Sequence, residues 1–122
     1  MYEVSVSRTF AAAHSLREYQ GQCEGLHGHN WQVEIVAGAM ELDEQGMVVD
    51  FTMLKRVLDA ALNEFDHHYI NEIPPFDQLN PSSENLSRVI FDKVARQISG
   101  DRVRVLECRV WESEKTCSVY RP

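Results

Sequence analysis

The densest chemistry in this chain lies in one short string, Cys23-Glu24-Gly25-Leu26-His27-Gly28-His29. His27 and His29 are two apart, and in extended backbone residues i and i+2 point to the same side. Two imidazoles therefore converge on one point, while Gly28 places no side chain on the opposite face. A third imidazole, His14, stands at the end of an earlier stretch that reads as a strand. If the two strands pair antiparallel, the end of the first lies beside the start of the second, and His14 joins the pair. Three neutral imidazoles suit zinc. Three protein ligands with a free fourth position are the arrangement of a catalytic zinc rather than a closed structural one. Cys23 leaves two readings open: the fourth ligand of a closed zinc site built from one cysteine and three histidines, or a nucleophile or base beside an open one. The connection from Ser15 to Leu26 is twelve residues, long for a hairpin and so expected to be functional.

Two further groups can do chemistry. Asp66-His67-His68 follows the last apolar residue of a helical pattern. A carboxylate beside an imidazole orients and polarises it, and the pair can tune a neighbouring thiol. The plainer alternative is a polar helix end, with the histidine near the negative end of the dipole. Glu112 continues, by period two, the apolar face of Leu106, Cys108 and Val110. A carboxylate there has a partner or marks where the strand meets water; its functional reading is a grip on a nitrogen-rich ligand. Ser82-Ser83-Glu84-Asn85 reads most simply as a helix cap.

The elements that must position these groups follow from periodicity. Trp31, Val33, Ile35 and Ala37 alternate with polar residues and predict a strand with one buried face. Residues 3–12 predict another, 106–110 a third and 117–120 a short fourth. Phe51, Leu54, Val57, Leu58, Ala61, Leu62 and Phe65 fall at helical steps, with Asp50 placed to cap them. A second helix carries Leu86, Val89, Ile90, Val94 and Ile98; Ser82 or Ser83 can start it and Gly100 can end it. Ile73-Pro74-Pro75-Phe76 must be a connection. The expected architecture is α+β: a four-stranded antiparallel sheet with two helices on one face. Its two open edges invite pairing with another chain.

Composition bounds the function. With 122 residues, 43% hydrophobic and 25% charged, the chain is expected to form one domain over residues 1–122. A net charge of −7 argues against a nucleic-acid or acidic-membrane binder. The longest apolar run is four residues, Phe10 to Ala13, far short of the roughly 20 that a bilayer span needs. The first ten residues lack the basic-then-apolar pattern of a signal peptide. Three cysteines, an odd number, are expected as free thiols in a reducing cytoplasm.

Taken together and in order, Phe10 to His14, Cys23 to His29, Val49-Asp50-Phe51, Phe65-Asp66-His67, Pro81 to Asn85 and Val110-Trp111-Glu112 resemble the 6-pyruvoyl-tetrahydropterin synthase family. The resemblance implies the tunnelling fold, whose sheets join into trimeric barrels that stack as a homohexamer with active sites between subunits. It implies that His14, His27 and His29 hold Zn2+, and that Cys23 is the proton-abstracting thiolate with Asp66 and His67 completing its relay. It further implies that Glu112 anchors a pterin ring and that Ser82 and Ser83 line its pocket. The family often carries Thr where this chain has Ser82 and Ser113; both keep the hydroxyl. The three residues between Cys23 and His27 are similar to the bacterial 6-carboxy-tetrahydropterin synthases of queuosine biosynthesis. The implied substrate is then 7,8-dihydroneopterin triphosphate, and the products 6-carboxy-5,6,7,8-tetrahydropterin, acetaldehyde and triphosphate. The alternatives are a 6-pyruvoyl-forming or aldolase-like relative and a non-enzymatic zinc-binding interaction module.

Overall fold

The computed structural model describes residues 1–19 and 25–122. The elements are β1 (Tyr2–His14), β2 (His27–Ala39), α1 (Phe51–Asn63), β3 (His68–Tyr69), a 3-10 turn (Ile70–Glu72), α2 (Ser83–Ile98), β4 (Arg104–Ser113) and β5 (Thr116–Tyr120). The strands form one sheet in the order β3-β1-β2-β4-β5. The four antiparallel strands expected from alternation are present, but the sheet is five-stranded and mixed. β3 pairs parallel with β1 at Ala12 and Ala13. Two residues are too few to show a period of two, so nothing in the sequence announced this strand.

One face of the sheet is apolar. Val6, Phe10, Trp31, Val33, Ile35, Val105, Cys108 and Val110 are buried on it against Leu54, Leu58, Leu62, Leu86, Ile90 and Val94 of the helices. In α1 the buried positions 54, 58, 61 and 62 repeat at helical steps and form the stripe that covers the sheet. Phe51, expected on that stripe, is exposed, and Phe65 is buried in the turn beyond the helix, which ends at Asn63. Asp50 caps α1 by accepting a hydrogen bond from the Thr52 amide at 2.8 Å. Asp50→Ala is expected to cost about 1 kcal/mol, read as a lower denaturant midpoint with unchanged slope.

The third expected strand is shifted by a bulge. Ala37 pairs with Val105 and Val36 with Glu107, leaving Leu106 as the extra residue. Val105, rather than Leu106, therefore fills the buried face ahead of Cys108. Leu106 instead lies over Gly38, where an added Cβ would meet its Cδ1 at 2.6 Å. An alanine there would have to displace the Leu106 side chain. The two thiols among the described residues are free: Cys108 is buried and Cys117 exposed. Burial pushes the Cys108 thiol far up, which keeps it protonated and inert.

Candidate active site

The site grows from the register of β1 and β2. His14 is opposite His27, Ala12 opposite His29 and Phe10 opposite Trp31. Alternation then sends His14, His27, His29 and Trp31 to the same face. Trp31 is fully buried beside two of the imidazoles, with its ring 4.8 Å from that of His14 and 5.2 Å from that of His29. Its indole N–H donates to the Ala12 carbonyl at 3.2 Å, so the floor of the site is tied to β1.

Two backbone carbonyls set the imidazole tautomers. His14 Nδ1 lies 2.8 Å from the Pro81 carbonyl and His27 Nδ1 2.9 Å from the Gly25 carbonyl. A carbonyl only accepts, so each Nδ1 carries the proton and, in the neutral ring, each Nε2 carries a lone pair. His14 is 1% exposed, and its Nε2 makes no hydrogen bond although it is buried. An orphaned buried acceptor of this kind is costly unless something electron-poor meets it. The arrangement is that of a metal-ligating histidine, whose second nitrogen is held by an outer partner.

Glu112 completes the group. It follows the buried face of Cys108 and Val110 and enters the site where the pairing of β4 with β5 shifts register. Its Oε1 is 2.8 Å from His29 Nε2, 3.6 Å from His14 Nε2 and 3.9 Å from His27 Nε2. One ligand atom from each of His14, His27, His29 and Glu112 lies within 4.8 Å of the other three. The donor set is imidazole and carboxylate, which fits zinc and other borderline divalent ions.

None of the remaining sequence-predicted residues within the described part belongs to this cluster. Cys23 lies outside the described residues. His29 and His67 line one open depression with Ala11, Ala13, Gly28 and Asn30. Asp66 does not close α1 as a polar helix end. Its Oδ1 accepts from the Ala11 amide at 3.0 Å, and the His67 amide donates to the Ala11 carbonyl at 2.6 Å. The pair thus occupies both backbone groups of Ala11 on the outer edge of β1. His67 has φ 60°, the left-handed region, which turns the chain from α1 toward β3 and leaves its side chain 81% exposed. Its Nε2 is 3.7 Å from Asp66 Oδ1.

Ser82 is the N-cap of α2, accepting from the Asn85 amide at 3.2 Å. Ser83 donates to Glu84 Oε1 at 2.6 Å, and Ser118 donates to the same oxygen at 2.9 Å. These hydroxyls, Ser83 first, hold the Glu84 carboxyl below its usual range. Ser118 gave no sequence signal, because its partner is thirty-four residues away.

Sequence reasoning also missed what positions Pro81. Arg17 donates to the carbonyls of Leu79 at 3.0 Å, Asn71 at 3.2 Å and Phe76 at 2.6 Å, while its amide donates to Asn80 Oδ1 at 2.8 Å. Asn71 closes the same connection, donating to the Ser15 carbonyl and accepting from the Ser15 amide. A guanidinium that gathers three carbonyls fixes the segment that ends in Pro81, and through it the His14 tautomer. Arg17→Ala is expected to weaken metal binding by up to about 10-fold, because it loosens the segment whose Pro81 carbonyl holds His14 Nδ1. Competition with a chromophoric chelator measures this, and Arg17→Lys should not restore it, because an ammonium lacks the fork.

Comparison with known proteins places this geometry among relatives. The family profile described as 6-pyruvoyl tetrahydropterin synthase matches residues 3–122. The chain is 38% identical over 107 residues to a putative 6-carboxy-5,6,7,8-tetrahydropterin synthase of Archaeoglobus fulgidus, covering 85% of this chain and 86% of that one. It is 33% identical over 107 residues to a dihydroneopterin monophosphate aldolase of Pyrococcus furiosus, covering 88% and 86%. The solved 6-pyruvoyl tetrahydropterin synthase of Caenorhabditis elegans shares the fold, with a TM-score of 0.80 and 24% identity over 100% of this chain and 97% of the other.

Proposed function

Because the chain belongs to the 6-pyruvoyl tetrahydropterin synthase family, we propose that it converts 7,8-dihydroneopterin triphosphate and one water to 6-carboxy-5,6,7,8-tetrahydropterin, acetaldehyde and triphosphate, as a zinc enzyme of queuosine biosynthesis in the cytoplasm. The observation that carries this reading is the convergence of three imidazoles with Glu112 at one end of the sheet. His14, His27 and His29 hold the metal, which when bound supplies Lewis acidity to the hydroxyls of the substrate side chain. Glu112 accepts the paired N–H groups of the pterin ring, and Ser82 and Ser83 line the pocket beside it. Cys23 takes the proton from the acidified side-chain carbon. Asp66 and His67, the latter on the depression that His29 also lines, hold and pass that proton.

Assembly follows from the sheet edges. Among the described residues, the outer side of β1 is covered at Ala11, Ala12 and Ala13, and β5 forms the opposite edge of the sheet. Joining β1 of one copy to β5 of the next closes a trimeric barrel, and two barrels make a homohexamer. Light scattering should give the mass of six chains; a stable monomer at micromolar concentration would contradict shared sites.

The Pyrococcus relative favours a second reading, cleavage of the side chain of a dihydroneopterin phosphate in the manner of an aldolase. One experiment separates these. The zinc-loaded protein is incubated with dihydroneopterin triphosphate, and with the monophosphate, and products are identified by mass. The carboxy product with acetaldehyde supports the proposal. Loss of triphosphate without acetaldehyde identifies a pyruvoyl-forming enzyme, and cleavage of the monophosphate an aldolase. Full zinc content with no turnover of either makes the chain a non-enzymatic zinc module.

A further inference from the structure

We infer that Ser83, Glu84 and Ser118 form an acceptor-only wall beside Glu112 that selects the reduced over the aromatic pterin ring, with Ser118 as its positioning residue. This rests on the pterin pocket proposed above and adds to it the basis of a choice between ring oxidation states.

Three polar groups from two elements meet at the start of α2. Ser83 Oγ is 2.6 Å from Glu84 Oε1, Ser118 Oγ is 2.9 Å from the same oxygen, and the two hydroxyls are 2.5 Å apart. Three close contacts share two hydroxyl protons, and an ionised carboxylate brings none. Whether each hydroxyl donates to Glu84 or one donates through the other, both protons stay inside the group. What it turns outward is lone pairs. The two hydroxyls hold the Glu84 carboxyl below its usual range, and its place in the first turn of α2, at the positive end of the helix dipole, favours the same ionised form.

β5 and α2 bring this wall to the pocket. Ser118 is opposite Val110 on β4. Val110 and Glu112 are two apart, so Ser118 stands one step of the pleat from Glu112 on the face that the helices cover. Pro81, two residues before Ser83, holds His14 by its carbonyl. The wall therefore lies between the imidazole cluster and the β5 edge.

A dihydropterin offers donors at N3, at the 2-amino group and at N8. In the proposed pose Glu112 takes N3–H and one amino hydrogen. The second amino hydrogen and N8–H remain, and both lie along the same edge of the ring. Acceptors beside Glu112 suit that edge. In the aromatic ring N8 carries a lone pair instead of a hydrogen, and a lone pair set against a carboxylate loses the bond and leaves both groups unpaired. Ser118 keeps the Ser83 hydroxyl inside the group; without it that hydroxyl can swing out and donate to an aromatic N8.

The test uses the full metal-loaded chain under anaerobic conditions, with 7,8-dihydroneopterin and neopterin, which differ only in the hydrogens at C7 and N8. Titration calorimetry gives each Kd. The wild type should bind the reduced ligand about 10–100-fold more tightly, the range for a hydrogen bond to a charged group. Ser118→Ala should lower that ratio about 3–10-fold, and Ser118→Thr, which keeps the hydroxyl, should restore it. Glu84→Gln should bring the ratio close to unity, because an amide supplies a donor for the aromatic N8. Equal binding of the two ligands by the wild type overturns the proposal. So does an unchanged ratio in Glu84→Gln or Ser118→Ala, even where both ligands bind more weakly, since a merely structural role weakens both alike. A wild type that binds neither ligand refutes instead the pterin reading on which the inference rests.

Discussion

Replacing His14 with alanine is expected to remove the bound metal and with it all measurable turnover. The proposed ligand lost is the most buried of the three, and the remaining imidazoles come from one strand only. Removing an outer partner of a metal ligand typically costs about 10–100-fold in affinity, so losing the ligand itself should cost at least about 100-fold. Metal content after dialysis and chelator competition read this directly. The fold should survive, because the cavity opens at the end of the sheet and Trp31 still closes the core below it. A His14→Ala protein that retains stoichiometric metal would show that these imidazoles are not the site.

Cys23→Ala should behave in the opposite way, keeping its metal and losing about 10²–10⁴ in kcat, the usual consequence of removing a positioned base. His14, His27, His29 and Glu112 could hold a metal without it, whereas the proposed proton abstraction needs a group that cycles between thiol and thiolate. His67→Ala should impair the same step and also leave the metal in place, since its side chain is exposed and outside the ligand set. Metal content measured beside kcat for both variants tests the division of labour. If Cys23→Ala loses metal in proportion to activity, the thiol is a ligand. If it keeps full activity, the base is elsewhere, and His67 is the first candidate.

Much of the scaffold was legible in the sequence because it depends on local orientation. Alternation over Trp31, Val33, Ile35 and Ala37 places β2 with one buried face, and the same period carried back to His29 and His27 sends both imidazoles to that face. Helical steps through Leu54, Leu58, Ala61 and Leu62 report the stripe of α1, and a single capping residue marks its start. The meeting of His14 with His27 needed only one further assumption, antiparallel pairing of neighbouring strands, and the register supplies it. These inferences hold because side-chain direction follows from backbone repeat without knowledge of any partner.

What only the tertiary structure decided involves backbone atoms and partners distant in sequence. The bulge at Leu106 changed which residue fills the core, and it sets Leu106 in close approach to Gly38 of the adjacent strand. The Asp66 carboxylate went to the Ala11 amide instead of the end of α1, because an edge strand offered an unpaired donor there. The His14 tautomer is set by the carbonyl of Pro81, and that carbonyl is placed by a segment gathered around Arg17. A carbonyl is common to every residue and leaves no mark in a sequence. Likewise Glu112 could be put on the correct face by its period, but its distance from three imidazoles on two other strands depends on how β4 lies against β2. Residue identity and repeat therefore determined which groups face the site, while packing across the sheet decided which of them meet, and through which atoms.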